Sequence, residues 1–390
     1  MEFSYLTVLP RGRQVWDDVI FPPEEFIRRK ERVVSLMDTL DVDGLIIYSD
    51  GLTRRYVRYL TNYVNSVAWA VSLSLILRDR EPIVMSTMAP RDVAYNKRHL
   101  APGLELNAVG LGLVSNHHVA EKTLAYIKEK DLAGLRWAGV NLNNLPSAAF
   151  NPVKAAFPGL IDVTGDFDKV LARKSGEEIF AITQATAIAK KAALDYLRMA
   201  KPGENERRVA ARIDRNLRAY GMDNVSMLVS AGKGNVTLRQ PDDYIIAEGD
   251  TVSVQIAVMY LQYLGLFGST IVNSGKESGR TAYHDSFMDR WNTLREKINN
   301  SKSLSGICSV SEKGYVLAQG IGPDAAEAPF DSEGLDAIEN GSVFNLTMCE
   351  NNNEFGGIFL SDTFACSDGR VYPIGGEGGS RIHSRFYGCE

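Results

Sequence analysis

The chain has 390 residues, of which 45% are hydrophobic and 23% charged, and its formal net charge is −5. That length predicts two domains, and the composition is that of a soluble globular protein. With no concentrated run of Lys and Arg, a nucleic-acid surface is excluded, and no apolar stretch is long enough to span a bilayer. The opening segment, Met1 to Trp16, has no apolar core and does not read as a signal peptide.

Pro22-Pro23-Glu24-Glu25 opens a helical pattern, since Pro and acidic side chains suit a first turn. Apolar residues from Phe26 to Leu40 recur at helical spacing. Leu45-Ile46-Ile47-Tyr48 reads as a buried strand. Val67 to Leu77 reads as another, with Ile83-Val84-Met85 as its hairpin partner after Glu81-Pro82. The first 165 residues therefore form one α/β domain, and 166–390 a second.

In the second domain Ser175 caps a helix, with Glu178 completing a capping box. Ile179, Ile182, Ala185, Ala189, Ala192 and Leu197 form its apolar stripe, and Pro202-Gly203 ends it. Glu204 to Tyr220 is a second amphipathic helix with Val209, Ile213 and Leu217 on one face. Strands follow at Ser226–Ser230, Thr251–Val258, Tyr263–Val272, Ser342–Met348 and Gly357–Ala365, interrupted by a helix from about Tyr283 to Ile298. Cys308, Cys349, Cys366 and Cys389 show no CxxC spacing, which predicts reduced thiols in a cytoplasmic protein rather than disulfides or a zinc site.

Several segments, in order, resemble landmarks of the creatinase / aminopeptidase P / prolidase family. Arg58-Tyr59-Leu60-Thr61-Asn62-Tyr63 is similar to its "R-Y-L-T-G-F". Lys174-Ser175-Gly176-Glu177-Glu178-Ile179 resembles "K-S-x-E-E-I", and Pro202-Gly203-Glu204-Asn205-Glu206 resembles "P-G-x-T-E". Gly249-Asp250-Thr251-Val252, Gly320-Ile321-Gly322, Gly341-Ser342-Val343-Phe344 and Gly356-Gly357…Asp362-Thr363 resemble later landmarks. The resemblance covers about residues 22–380. It implies an α/β N-terminal creatinase-like domain and an α+β pita-bread C-terminal domain with its site on the concave sheet. It also implies a homodimer.

Most members of that family hold two divalent metals between two Asp, one His and two Glu, and a bridging water is the nucleophile. Carried over by motif, those positions fall on Gln255, Leu266, Gln319, Thr347 and Ser361. None keeps a metal ligand, so no metal and no other cofactor is expected. The His that creatinase uses without metal would fall on Leu238, and it too is missing.

Strand alternation places Ser253, Gln255, Leu266, Gly268, Asn345, Thr347, Cys349, Ser361 and Thr363 on one wall, with Gln319 nearby. Such an uncharged wall can orient a small polar substrate or stabilise an oxyanion, or its groups can simply satisfy one another in a filled core. Cys349 is the one intrinsic nucleophile on it. His284, beside Asp285, is the most conspicuous acid/base candidate, with a helix-start role for the pair as the alternative. Tyr260 and Tyr263 flank a hairpin at the expected entrance, and Glu350, next to Cys349, stands at an Asn-rich loop that can form a rim or a plain solvated turn; these three and Asn345 are candidate substrate contacts. The expected function is a metal-independent hydrolase- or lyase-type enzyme acting on a small polar molecule. The alternative is a catalytically inactive binding or scaffolding protein.

Overall fold

The computed structural model describes residues 21–65, 70–88, 93, 100–110, 115–222, 224–273, 278–299, 301, 303–304, 306–323, 327, 338–376 and 382–384. Val67 and Cys389 lie outside them. The chain divides into two compact units at Leu171/Ala172. The expected division at 165/166 is corrected by a helix, α5 (Thr164–Ala172), whose Phe167 and Leu171 are buried in the core of the first unit.

The first unit is built on six strands: β1 (Gly44–Asp50), β2 (Val71–Leu77), β3 (Ile83–Ser86), β4 (Glu105–Ala108), β5 (Trp137–Val140) and β6 (Ile161–Asp162). Their order is β4-β3-β2-β1-β5-β6. The β1–β2 and β2–β3 pairs are antiparallel, which confirms the hairpin, and the remaining pairs are parallel. Both faces of β1 are covered, as its unbroken apolar run requires. Leu45 and Ile47 pack with Val33 and Met37 of α1 (Pro23–Thr39) and with Tyr59 of α2 (Arg55–Thr61). Ile46 and Tyr48 pack with Val119 of α3 (Ser115–Glu129) and Val153 of α4 (Ser147–Ala156).

The second unit holds a nine-stranded sheet whose main path is β10-β11-β12-β13-β9-β8-β7. These are β7 (Asn224–Gly232), β8 (Thr251–Tyr260), β9 (Tyr263–Val272), β10 (Ser309–Ser311), β11 (Gly314–Gly320), β12 (Val343–Glu350) and β13 (Ile358–Ser367). β14 (Arg370–Pro373) pairs with β13, and β15 (Ile382–Ser384) with β9.

Three helices cover one face of this sheet. The first, α6 (Gly176–Met199), carries the expected capping box between Ser175 and Glu178. The second, α7 (Glu206–Ala219), starts two residues later than expected, because Asn205 caps it by accepting from the Arg208 amide. Both pack on Val252, Val254, Ile256, Val258, Phe267 and Ile271. No side chain fits between α6 and β9 at Gly265, where a Cβ would lie 2.1 Å from the Ala185 carbonyl carbon. The third helix, α8 (Ser278–Asn299), sets Phe287 and Trp291 against Phe344, Leu346, Met348, Leu360 and Phe364. The helices therefore take one residue of every two along β8, β12 and β13, and the intervening residues form the opposite face.

Candidate functional site

That opposite face is polar, and the strand register fixes which side chains meet on it. Gln255 of β8 lies opposite Gly268 of β9, Gly268 opposite Ser361 of β13, and Ser361 opposite Thr347 of β12. Thr347 lies opposite Leu317 of β11. A neighbouring row runs from Gln319 through Asn345 to Thr363, and Ser253 pairs with Thr270. The residues expected on one wall from alternation are thus brought together, Gln319 included.

The centre of the wall is closed by its own hydrogen bonds. Asn345 Oδ1 accepts from the hydroxyls of Thr347 (3.0 Å) and Ser361 (2.8 Å). Asn345 Nδ2 donates to Thr363 Oγ1 (3.2 Å), whose own proton goes to the Leu266 carbonyl (2.7 Å). Ser253 Oγ and Thr270 Oγ1 are 2.8 Å apart, and Thr270 donates to the Phe359 carbonyl. Ser253, Thr270, Asn345, Ser361 and Thr363 are all buried, and each has the partner that a buried polar group needs. The exceptions are Gln255 and Gln319. Both are half-buried, and neither side-chain amide makes a hydrogen bond among the described residues.

Phe359, Leu317 and Tyr315 share the wall and were not among the expected residues. Phe359 is buried over Gly268, where a Cβ would lie 2.4 Å from its ring. The signal was present, since Phe359 stands two residues before Ser361, and Leu317 and Tyr315 two and four before Gln319, in the same alternation.

Three expected contributors lie off this face. Tyr263 has the parity of Phe267 and lies on the helix side, buried, with its hydroxyl donating to Glu178 Oε1 (3.0 Å). Tyr260 packs against the same α6–α7 core. Glu350 has the parity of Met348 and is ion-paired with Arg290 of α8 (2.5 Å). None of the three is on the polar face.

Cys349 is on that face, opposite Tyr315, but burial pushes its thiol up to about 11, against a hydrogen bond with Tyr315 that lowers it. A thiol at that value is protonated near neutral pH and is not an activated nucleophile. His284 sits on α8, half-buried. Burial first, and then the Arg280 guanidinium, lower it to about 4, with Asp285 opposing. It is neutral at pH 7, and its Nε2 is buried without a hydrogen-bond partner among the described residues.

Among the described residues no group of three or more His, Cys, Asp or Glu is arranged to hold a metal ion. At the five positions that the family resemblance assigns to ligands, the wall offers two amides, two hydroxyls and the Leu266 isobutyl group. The two hydroxyls are already bonded to Asn345. Hard divalent cations need carboxylates or imidazoles in such a site, so these residues do not fit a metal pair.

The model of metallopeptidase family M24 matches residues 181–368. The chain is 25% identical to the uncharacterized peptidase YqhT of Bacillus subtilis over 238 residues, 60% of this chain and 62% of that protein, so the match spans less than two thirds of its length. It is also 25% identical to the uncharacterized hydrolase/peptidase y4tL of Sinorhizobium fredii, over 90% of this chain and 94% of that protein. The fold is similar to that of the Xaa-Pro dipeptidase from Bacillus anthracis (TM-score 0.73, 18% identity, 92% of this chain and 100% of that one). It is similar too to the X-Pro aminopeptidase from Thermotoga maritima (TM-score 0.72, 16% identity, 91% and 99%). At these identities the structural likeness establishes the pita-bread fold.

Proposed function

We propose that the polar sheet face of this chain, whose residues 181–368 match the model of metallopeptidase family M24, is a metal-independent site for a small, uncharged polar molecule. The observation that carries this reading is the pair of half-buried amides, Gln255 and Gln319, that have no hydrogen-bond partner among the described residues, beside a floor whose other polar groups are bonded to each other. An amide in that state has donor and acceptor capacity left for a ligand. The floor contributes no charge, so a charged ligand would lose hydration there without compensation.

Binding without turnover is the reading this geometry favours. General acid–base hydrolysis is most efficient with a group that titrates near the working pH, and burial holds Cys349 above and His284 below the neutral range. Hydrolase- or lyase-type chemistry is the second reading, favoured by the same amides, because Gln N–H donors stabilise developing negative charge on oxygen. The names of the relatives, peptidases and hydrolases, support that second reading. A cytoplasmic homodimer is the setting we infer. The net charge of −5 speaks against nucleic acid as a partner, and no described helix is long and apolar enough to cross a membrane.

The test is elemental analysis of the dialysed protein, followed by calorimetric titration with Mn, Zn, Co and Fe salts. The expected result is no stoichiometric metal and no saturable heat. Stoichiometric binding that Ser361→Ala abolishes would overturn the reading. The ligand identified by thermal-shift screening is then incubated with the protein at high concentration. Product formation selects the hydrolase or lyase reading, and unchanged ligand selects binding.

A further inference from the structure

We propose that this face recognises a molecule with an uncharged carboxamide head and an apolar tail, the head held by Gln319 and the tail lying along β11 over Leu317. The proposal rests on the reading of the face as a binding site and names what it takes. The carrying observation is a change of character along one strand. Gln319, Leu317 and Tyr315 alternate onto the polar face of β11, opposite Asn345, Thr347 and Cys349. Gln319 is half-buried with its amide unengaged among the described residues. Leu317, two residues away, is 45% exposed, and Val310, opposite Tyr315 on the edge strand β10, is 76% exposed.

Same-face neighbours on a strand are about 7 Å apart. A free donor–acceptor pair is therefore followed, within the length of one small molecule, by apolar surface that nothing in this chain covers among the described residues. Singly exposed apolar side chains are ordinary. Leu317 and Val310 differ in flanking the half-buried Tyr315 and in continuing the row that carries Gln319. An amide head matches the Gln319 amide donor for acceptor and acceptor for donor. A carboxylate or ammonium head would find no opposite charge on the wall. An apolar tail laid over Leu317 leaves water and gains about fourfold in affinity per buried methylene.

The test uses ligand-detected NMR on the dialysed full chain of measured metal content, with acetamide, butanamide, hexanamide and octanamide, and with hexanoate and hexylammonium as charged controls. Affinity is expected to rise about fourfold per methylene. In Leu317→Ser the rise is expected to vanish while acetamide binding stays within about twofold. In Gln319→Leu the preference for hexanamide over hexanoate is expected to disappear. The proposal is overturned by a flat series in the wild type, by a rise that survives Leu317→Ser, or by charged analogues that bind as well as the amide. Sedimentation of both forms guards the alternative occupant: a wild-type dimer that Leu317→Ser converts to monomer would mean that a second copy covers the strip, and the proposal falls. A flat amide series sinks this inference alone, whereas bound metal sinks the metal-free reading on which it rests.

Discussion

Thr347 and Ser361 face each other across β12 and β13 with their hydroxyl oxygens 3.1 Å apart, and both donate to the same Asn345 oxygen. By resemblance these are positions where relatives carry carboxylates. Two carboxylates that close repel unless a cation lies between them, whereas two hydroxyls and an amide attract.

Returning one carboxylate should therefore be costly. Ser361→Glu puts an unpaired acid at a fully buried position and is expected to destabilise the fold by about 3–5 kcal/mol at pH 7. Because burial raises the pKa of the new group, the loss should grow as pH rises above the ordinary Glu value of about 4.3. Ser361→Ala removes one of the two bonds to Asn345 Oδ1 and should cost about 1–2 kcal/mol. Urea unfolding at pH 4 and pH 7 measures both. A Ser361→Glu variant as stable as wild type at pH 7 would show that the wall tolerates charge.

Gly268 is predicted to be fixed by Phe359. With a Cβ 2.4 Å from the ring, Gly268→Ala overpacks the wall and should cost about 1–3 kcal/mol. Phe359→Leu should remove much of that penalty in the double variant, giving a coupling of about 1 kcal/mol in the cycle. Additive single effects would contradict the contact.

Glu206 supplies a pH signature. It is fully buried and accepts from Arg239 Nη1 (2.6 Å) and the Asp242 amide (3.0 Å). Burial still outweighs these bonds and raises its carboxyl. With a folded value above the unfolded one, the native state binds the proton more tightly. The stability from this group is complete below the unfolded value of about 4.3 and declines as pH rises through the folded value. In Glu206→Gln that decline should disappear from the stability–pH curve, and a curve of unchanged shape would refute the assignment.

His284 and Cys349 should behave as structural groups. With its folded value lowered to about 4, His284 makes stability fall as pH drops below the unfolded value of about 6.5, and His284→Asn should flatten that limb. NMR titration of the imidazole reads the value directly. Cys349, held up at about 11, should resist iodoacetamide at pH 7.5 in the native protein and label only in denaturant. Rapid native labelling would restore it as a nucleophile candidate.

Alternation made the wall legible from sequence, because a strand's period of two leaves only one choice of face once Gln255, Thr347 and Ser361 are anchored. The capping box at Ser175 and Glu178 was equally direct, being local chemistry. Alternation also held the information that excludes Tyr263, which is an odd number of residues from Leu266. What misled there was proximity to a hairpin, which brings residues near an entrance without deciding their face. The ion pair of Glu350 with Arg290 joins residues 60 apart in sequence, and no local pattern announces it. The same holds for the mutual satisfaction of Asn345, Thr347 and Ser361: sequence supplied the groups, and only the register brought them together. The domain boundary moved because α5 is amphipathic either way, and the burial of Phe167 and Leu171 in the first unit's core decided its allegiance.

The amide and hydroxyl floor has a consequence for the conditions under which the protein works. Ser253, Gln255, Thr270, Gln319, Asn345, Thr347, Ser361 and Thr363 carry side chains that neither gain nor lose protons over the biological range. A site lined this way keeps one electrostatic state from mildly acidic to mildly alkaline surroundings. On the proposed metal-independent reading, its occupancy would follow the concentration of its ligand, uncoupled from proton activity and metal supply.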